Sequence, residues 1–101
     1  MVSYTVLYKQ DPNKRVELPV IDKFLRGIGY TIQDIEPPFR ESQVGTISYL
    51  NETTKAGVNV SRWQASVGRS NYALTLPFNE EEKKRILDAM DREGLKLLGE
   101  E

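Results

Sequence analysis

The chain contains no cysteine and no histidine. Disulfides, zinc sites of the usual kind, Cys/His and Ser/His nucleophile pairs and histidine pH switches are thereby excluded. No apolar run approaches the roughly 18 residues that a membrane-spanning helix needs. A surplus of one charge is lacking too: 14 Lys and Arg stand against 15 Asp and Glu. A dedicated nucleic-acid binder carries a clear basic excess, so the balance counts against that class for the molecule as a whole. Neither GxxxxGK[ST] nor GxGxxG occurs, and with them the usual phosphate-cradling loops are missing. The opening MVSYTVLYKQ has no basic stretch followed by a long apolar one. It does not read as a secretory signal, and the cytoplasm is the expected location.

What is present is enough for one domain over residues 1–101. Apolar residues make up 39% and charged residues 29% of the chain, the mixture of an ordinary soluble domain with one core. Val2, Tyr4, Val6 and Tyr8 alternate with Ser3, Thr5, Leu7 and Lys9, which predicts a strand over 2–9. Asp11-Pro12-Asn13-Lys14 reads as a tight turn, followed by a short return strand over 15–18. Pro19 suits the first turn of a helix. Ile21, Phe24, Leu25 and Ile28 then form one stripe at i, i+3, i+4 and i+7. Gly27 and Gly29 read together as the helix stop.

Strands follow over 30–35 and 44–51, separated by Pro37-Pro38 and a loop at 39–43. Residues 58–67 and 70–78 read as a hairpin turning at Gly68-Arg69. That turn pairs Trp63 with Leu74 and Ala65 with Tyr72. It gathers Trp63, Tyr72, Leu74, Leu76 and Phe78 on one face, and it requires a bulge near Ser61 to bring Val58 and Val60 to the same side. Asn79 followed by Glu80, Glu81 and Glu82 marks a helix start with a capping-box spacing. Ile86, Leu87 and Met90 continue it, and 95–98 forms either a last strand or a helical extension. The expected fold is α+β: a two-layer sandwich, a mainly antiparallel sheet of about five strands with two helices on one face. This is a ferredoxin-like pattern with an extra hairpin.

Chemistry is thin. Asp34 and Glu36 share a strand face, and Asp88 and Asp91 a helix face, but surface solvation accounts for both pairs better than acid–base work does. Glu80–Glu82 diverge on a helix and do not converge on a cation. No cofactor, metal or catalytic residue is expected. Asn51-Glu52-Thr53 fits a glycosylation acceptor, which carries little meaning without a secretion signal. Residues 53–78 contain Lys55, Arg62 and Arg69 and no acid. With the expected register, Arg62, Gln64, Asn71 and Thr75 lie on an open polar sheet face beside Arg69, and these five are the candidate binding residues. The leading expectation is a small non-catalytic interaction or regulatory domain. It would bind a protein partner, or a second copy of itself, through an exposed sheet edge such as that of 2–9, or through the polar face. Weak nucleic-acid binding through 53–78 comes second, and a small carboxylate enzyme third.

Overall fold

A computed structural model describes residues 3–36, 45–66 and 69–98. The elements run β1 (Ser3–Tyr8), β2 (Asp11–Arg15), α1 (Leu18–Gly27), β3 (Tyr30–Glu36), β4 (Gly45–Asn51), β5 (Gly57–Ser66), β6 (Arg69–Thr75), α2 (Glu80–Arg92) and β7 (Leu95–Leu98). All seven strands join one antiparallel sheet in the order β2-β1-β6-β5-β4-β3, with β7 also paired to β1. The α+β class and the two helices agree with the sequence, but seven strands replace the expected five or so. The increase comes from two short segments: the return strand expected at 15–18 lies instead at Asp11–Arg15 as β2, and 95–98, open from sequence between strand and helix, is strand β7. No helix among the described residues is long and apolar enough to cross a membrane.

Strand β1 sits inside the sheet. Leu7 pairs with Arg15 of β2 and with Lys96 of β7, and Thr5 pairs with Ala73 of β6 and with Leu98 of β7. A strand residue has only two edges, so β2 and β6 share one side of β1 and β7 takes the other. The bare edge expected for residues 2–9 does not exist. The turn before β2 also moves: Tyr8 faces Asp11, so the chain reverses at Lys9-Gln10 and Pro12 lies within β2.

The hairpin of β5 and β6 has a different register from the expected one. Val60 pairs with Leu74, Arg62 with Tyr72 and Trp63 with Asn71. The offset from the expected pairing is odd, so the faces are exchanged along one strand. Val58 and Val60 fall on the same face as Leu74 with no bulge at Ser61. The irregularity lies between Gln64 and Ser66 instead, and Ser66 pairs with Arg69. The loop expected at 39–43 and the residues joining β5 to β6 lie outside the described residues.

One face of the sheet carries the core. Ile47, Tyr49, Val58, Val60 and Leu74 are buried there against Ile21, Phe24 and Leu25 of α1 and Ile86, Ala89 and Met90 of α2. Both helices therefore lie on the same side, as their apolar stripes require. Leu76 is partly buried against this cluster, and Phe78, expected to extend β6, is 82% exposed beyond its end. The helix ends have separate causes. Gly29, not Gly27, holds the left-handed conformation after α1, with φ +98°. Asn79 caps α2 by accepting a hydrogen bond from the Glu82 N–H. Gly94, φ +75°, releases the chain into β7.

Candidate functional site

The five candidate binding residues do not share a face. In the observed register Arg62 and Gln64 occupy positions paired with Tyr72 and Ser70, while Asn71 and Thr75 pair with Trp63 and Asn59 on the opposite parity. Thr75 is buried rather than open to solvent. The side chains of Arg62, Trp63, Gln64, Arg69 and Asn71 lie outside the described residues. The second sheet face is not bare at its centre either, since Thr5, Leu7 and Ala73 are buried beside Thr75. Of the cations of the acid-free segment, Lys55 is exposed at the β4–β5 turn, with φ +63°.

Two polar assemblies that the sequence left unnoticed bind the helices to the sheet. In the first, the Tyr30 hydroxyl on β3 donates to Oε1 of Glu82 at 2.6 Å, a fully buried phenol meeting a carboxylate that is 6% exposed. Arg85, one turn along α2, brings its guanidinium to both Glu82 oxygens and to the Ile28 carbonyl at the end of α1. The Arg85 hydrogen bonds, aided by Tyr30, hold the Glu82 carboxyl below the usual carboxylate range against the opposing effect of burial. Burial, and then the Glu82 contact, push the Tyr30 phenol well above its ordinary value. The capping-box spacing is thus half used: Asn79 caps, but the Glu82 side chain turns to Tyr30 and Arg85.

The second assembly repeats this logic on α1. Tyr49 on β4 donates to Asp22 Oδ1 at 2.7 Å, and Arg26 donates to Asp22 Oδ2 at 2.9 Å. Burial and the Asp22 contact raise the Tyr49 phenol. The i,i+4 and i,i+3 spacings of Asp22/Arg26 and Glu82/Arg85 are visible in the sequence. The cross-sheet tyrosines are not, because nothing local selects them. Asn51 ties the same corner: its Oδ1 accepts from the Thr53 and Thr54 N–H groups at 2.9 and 3.1 Å. It is 4% exposed, so the glycosylation-like triplet at 51–53 presents no accessible amide.

A cleft of about 740 Å³ opens between α1 and α2. Pro19, Val20, Phe24 and Ile28 wall one side, Ala89 and Arg92 the other, and Tyr8 and Leu95 lie at its base. Lys23, Arg92 and Glu93 are its charged members. Lys14 stands 5.4 Å from the centre of the Tyr8 ring. A smaller hollow of about 500 Å³ lies between the β4–β5 turn and the start of α2, beside Lys55 and Phe78. Among the described residues no group of three or more Asp or Glu converges as metal ligands would. Asp34 and Glu36 are exposed on β3. No family model, no curated protein and no solved structure matches the chain.

Proposed function

We propose that the chain is a non-catalytic interaction domain that seats a partner in the cleft between α1 and α2. The observation that carries this reading is the cleft itself: an opening of about 740 Å³ with apolar walls and a charged rim. Its size falls in the ordinary range of ligand sites, ~300–1,000 Å³. It is favoured over the sheet edges. Strand β1 is paired on both sides, and the outer strand β3 is bulged and acidic. Among the described residues, a homodimer formed by edge pairing would have β2, β3 or β7 to use.

The strand order supports a ferredoxin-like frame as the scaffold of this site. The chain of antiparallel pairings makes β1 and β3 parallel and joins them through α1; β6 and β7 are likewise parallel and joined through α2. The β4–β5 hairpin is then the insertion between β3 and β6.

Amide shift mapping on the intact chain tests the site. The probes are pooled helical peptides, pooled extended peptides and mixed oligonucleotides at low salt. Shifts gathered on residues 19–28 and 89–95 are expected with a peptide pool. Shifts around Lys55 with oligonucleotides alone, weakening steeply as salt rises, would favour nucleic-acid binding through 53–78 instead.

A further inference from the structure

We propose that the free edge of β7 takes a short extended segment of a partner protein as an added antiparallel strand, with apolar residues at alternate positions and an acidic residue between them. This surface is separate from the cleft and lies on the other flank of α2.

The first observation is the backbone. Strand β7 is bonded on one side by β1 and pairs with no other described strand. Its register with β1 runs from Leu95 to Leu98 without a bulge. The Lys9 N–H donates to the Gly94 carbonyl at 2.8 Å. Inward bonds alternate along an antiparallel ladder, so Gly94, Lys96 and Leu98 turn their polar groups to β1, while Leu95 and Leu97 turn theirs outward. A row of outward N–H and C=O groups at strand spacing is matched by another extended backbone. The other edges suit this less: β3 is bulged and acidic, and β2 holds Pro12 and pairs irregularly with β1. The four residues of β7 fit a peptide segment rather than a whole second sheet.

The second observation is what stands on either face of that edge. Leu95 is buried and Leu97 partly buried on the helix side. Helix α1 packs on β3 and α2 on β7, so the flank of α2 turned away from α1 overlooks the open edge. Arg85 reaches α1 at the Ile28 carbonyl. Leu87, two residues on, points to the opposite flank and is 39% exposed. An apolar side chain of an added strand meets Leu97 and lies on the Leu87 side of α2. On the second face Lys96 and Arg15 share one row, each paired with Leu7. Both are exposed, and neither forms an ion pair with a described residue. Residues directly opposite in adjacent strands share a face, so the position facing Lys96 calls for a carboxylate. The same rule disfavours a second copy: the two-fold pairing that engages Leu95 and Leu97 of both chains sets Lys96 against Lys96.

The test is selection from displayed peptides of about eight residues, with β-branched residues at alternate positions and Glu, Lys or Thr between them. The bait is the intact chain. Enrichment of Glu is expected, with amide shifts on Lys96 and Leu97 and slowed exchange of the Leu95 and Leu97 amides. Leu97→Pro should abolish binding, since the N–H it removes points outward and the bonds to β1 remain. Lys96→Glu should weaken binding at least about fivefold. Circular dichroism checks that each variant folds. If Leu97→Pro does not, N-methylation of the selected peptides replaces it: one set of alternate amides should abolish binding and the other should spare it. Peptides that keep their affinity through these changes overturn the added strand. Binders with no Glu preference that ignore Lys96→Glu overturn the acidic partner. Shifts on 19–28 without change at 96 and 97 place the peptide in the cleft and overturn the edge. Absence of any selected peptide overturns the proposal too, as does a self-associated wild type that Leu97→Pro converts to monomer in sedimentation, which makes a second copy the occupant.

Discussion

An ionised carboxylate inside an apolar layer is tolerated only where it is fully paired, and Glu82 meets that condition through Arg85 and Tyr30. The consequence is a dependence on acid. The folded carboxyl titrates below its ordinary value of 4.5, so its contribution is complete above that value. It is lost as pH falls through the lower folded one. Urea unfolding between about pH 5 and about pH 2.5 should show declining stability, and Glu82→Gln should flatten the decline. At neutral pH the same substitution should cost about 1–3 kcal/mol. The raised phenols act at the other limit: Tyr30 and Tyr49 contribute below the ordinary 10.0 and lose that contribution as pH climbs further. At this scale the sequence discloses the helix cap, because it is written in local spacing. It could not disclose that Glu82 would abandon the capping box for a tyrosine on β3.

Elements were most legible where their signals were redundant. Helix α1 had a first-turn proline, a four-residue stripe and glycine at the end, and its limits emerge within a residue or two of expectation. The two glycines nevertheless separate. Gly29→Ala should destabilise by about 1–2 kcal/mol, since an L side chain is strained at φ +98°. Its Cβ would also meet Asn51 Nδ2 at 3.1 Å. Gly27→Ala should be neutral or stabilising by up to about 1 kcal/mol. Thermal unfolding of the two variants side by side checks the contrast. The β5–β6 hairpin is less legible because a Gly-first turn at 68–69 and the spacing of the valines point to different registers. Val58 and Val60 carried the better signal: their period-two spacing demands the same face as Leu74, and the observed pairing supplies it.

For the whole molecule, one exposed edge of the sheet is β3. Its pairing with β4 is interrupted between Ile32 and Asp34, which leaves Gln33 without a partner. Asp34 and Glu36 follow on the exposed end of the strand. A bulge and two carboxylates are what discourage a second sheet from adding to an edge. These acids, weighed from sequence as a surface or catalytic pair, are best understood as edge protection. Replacing both by threonine should leave the fold intact and raise concentration-dependent association. Sedimentation equilibrium should give a monomer for the wild type over the range where the double variant gains mass. The sequence concealed this because protection depends on which strand is outermost, and strand order is a property of long-range pairing alone.

Thr5 lies between Ala73 and Leu98, and this has a meaning for the order of events in synthesis. The ribosome delivers β1 and its neighbour β2 first, and the other two partners of β1, β6 and β7, late. The meander β3 to β6 joins strands that follow one another in the chain, so it assembles by closing short loops. Strand β1 must wait for neighbours from the far end, at the greater cost of a long closure. Until Leu95–Leu98 have emerged, an alternating apolar strand stays unpaired along one side, and a nascent chain halted there is the form most open to recruiting a wrong strand.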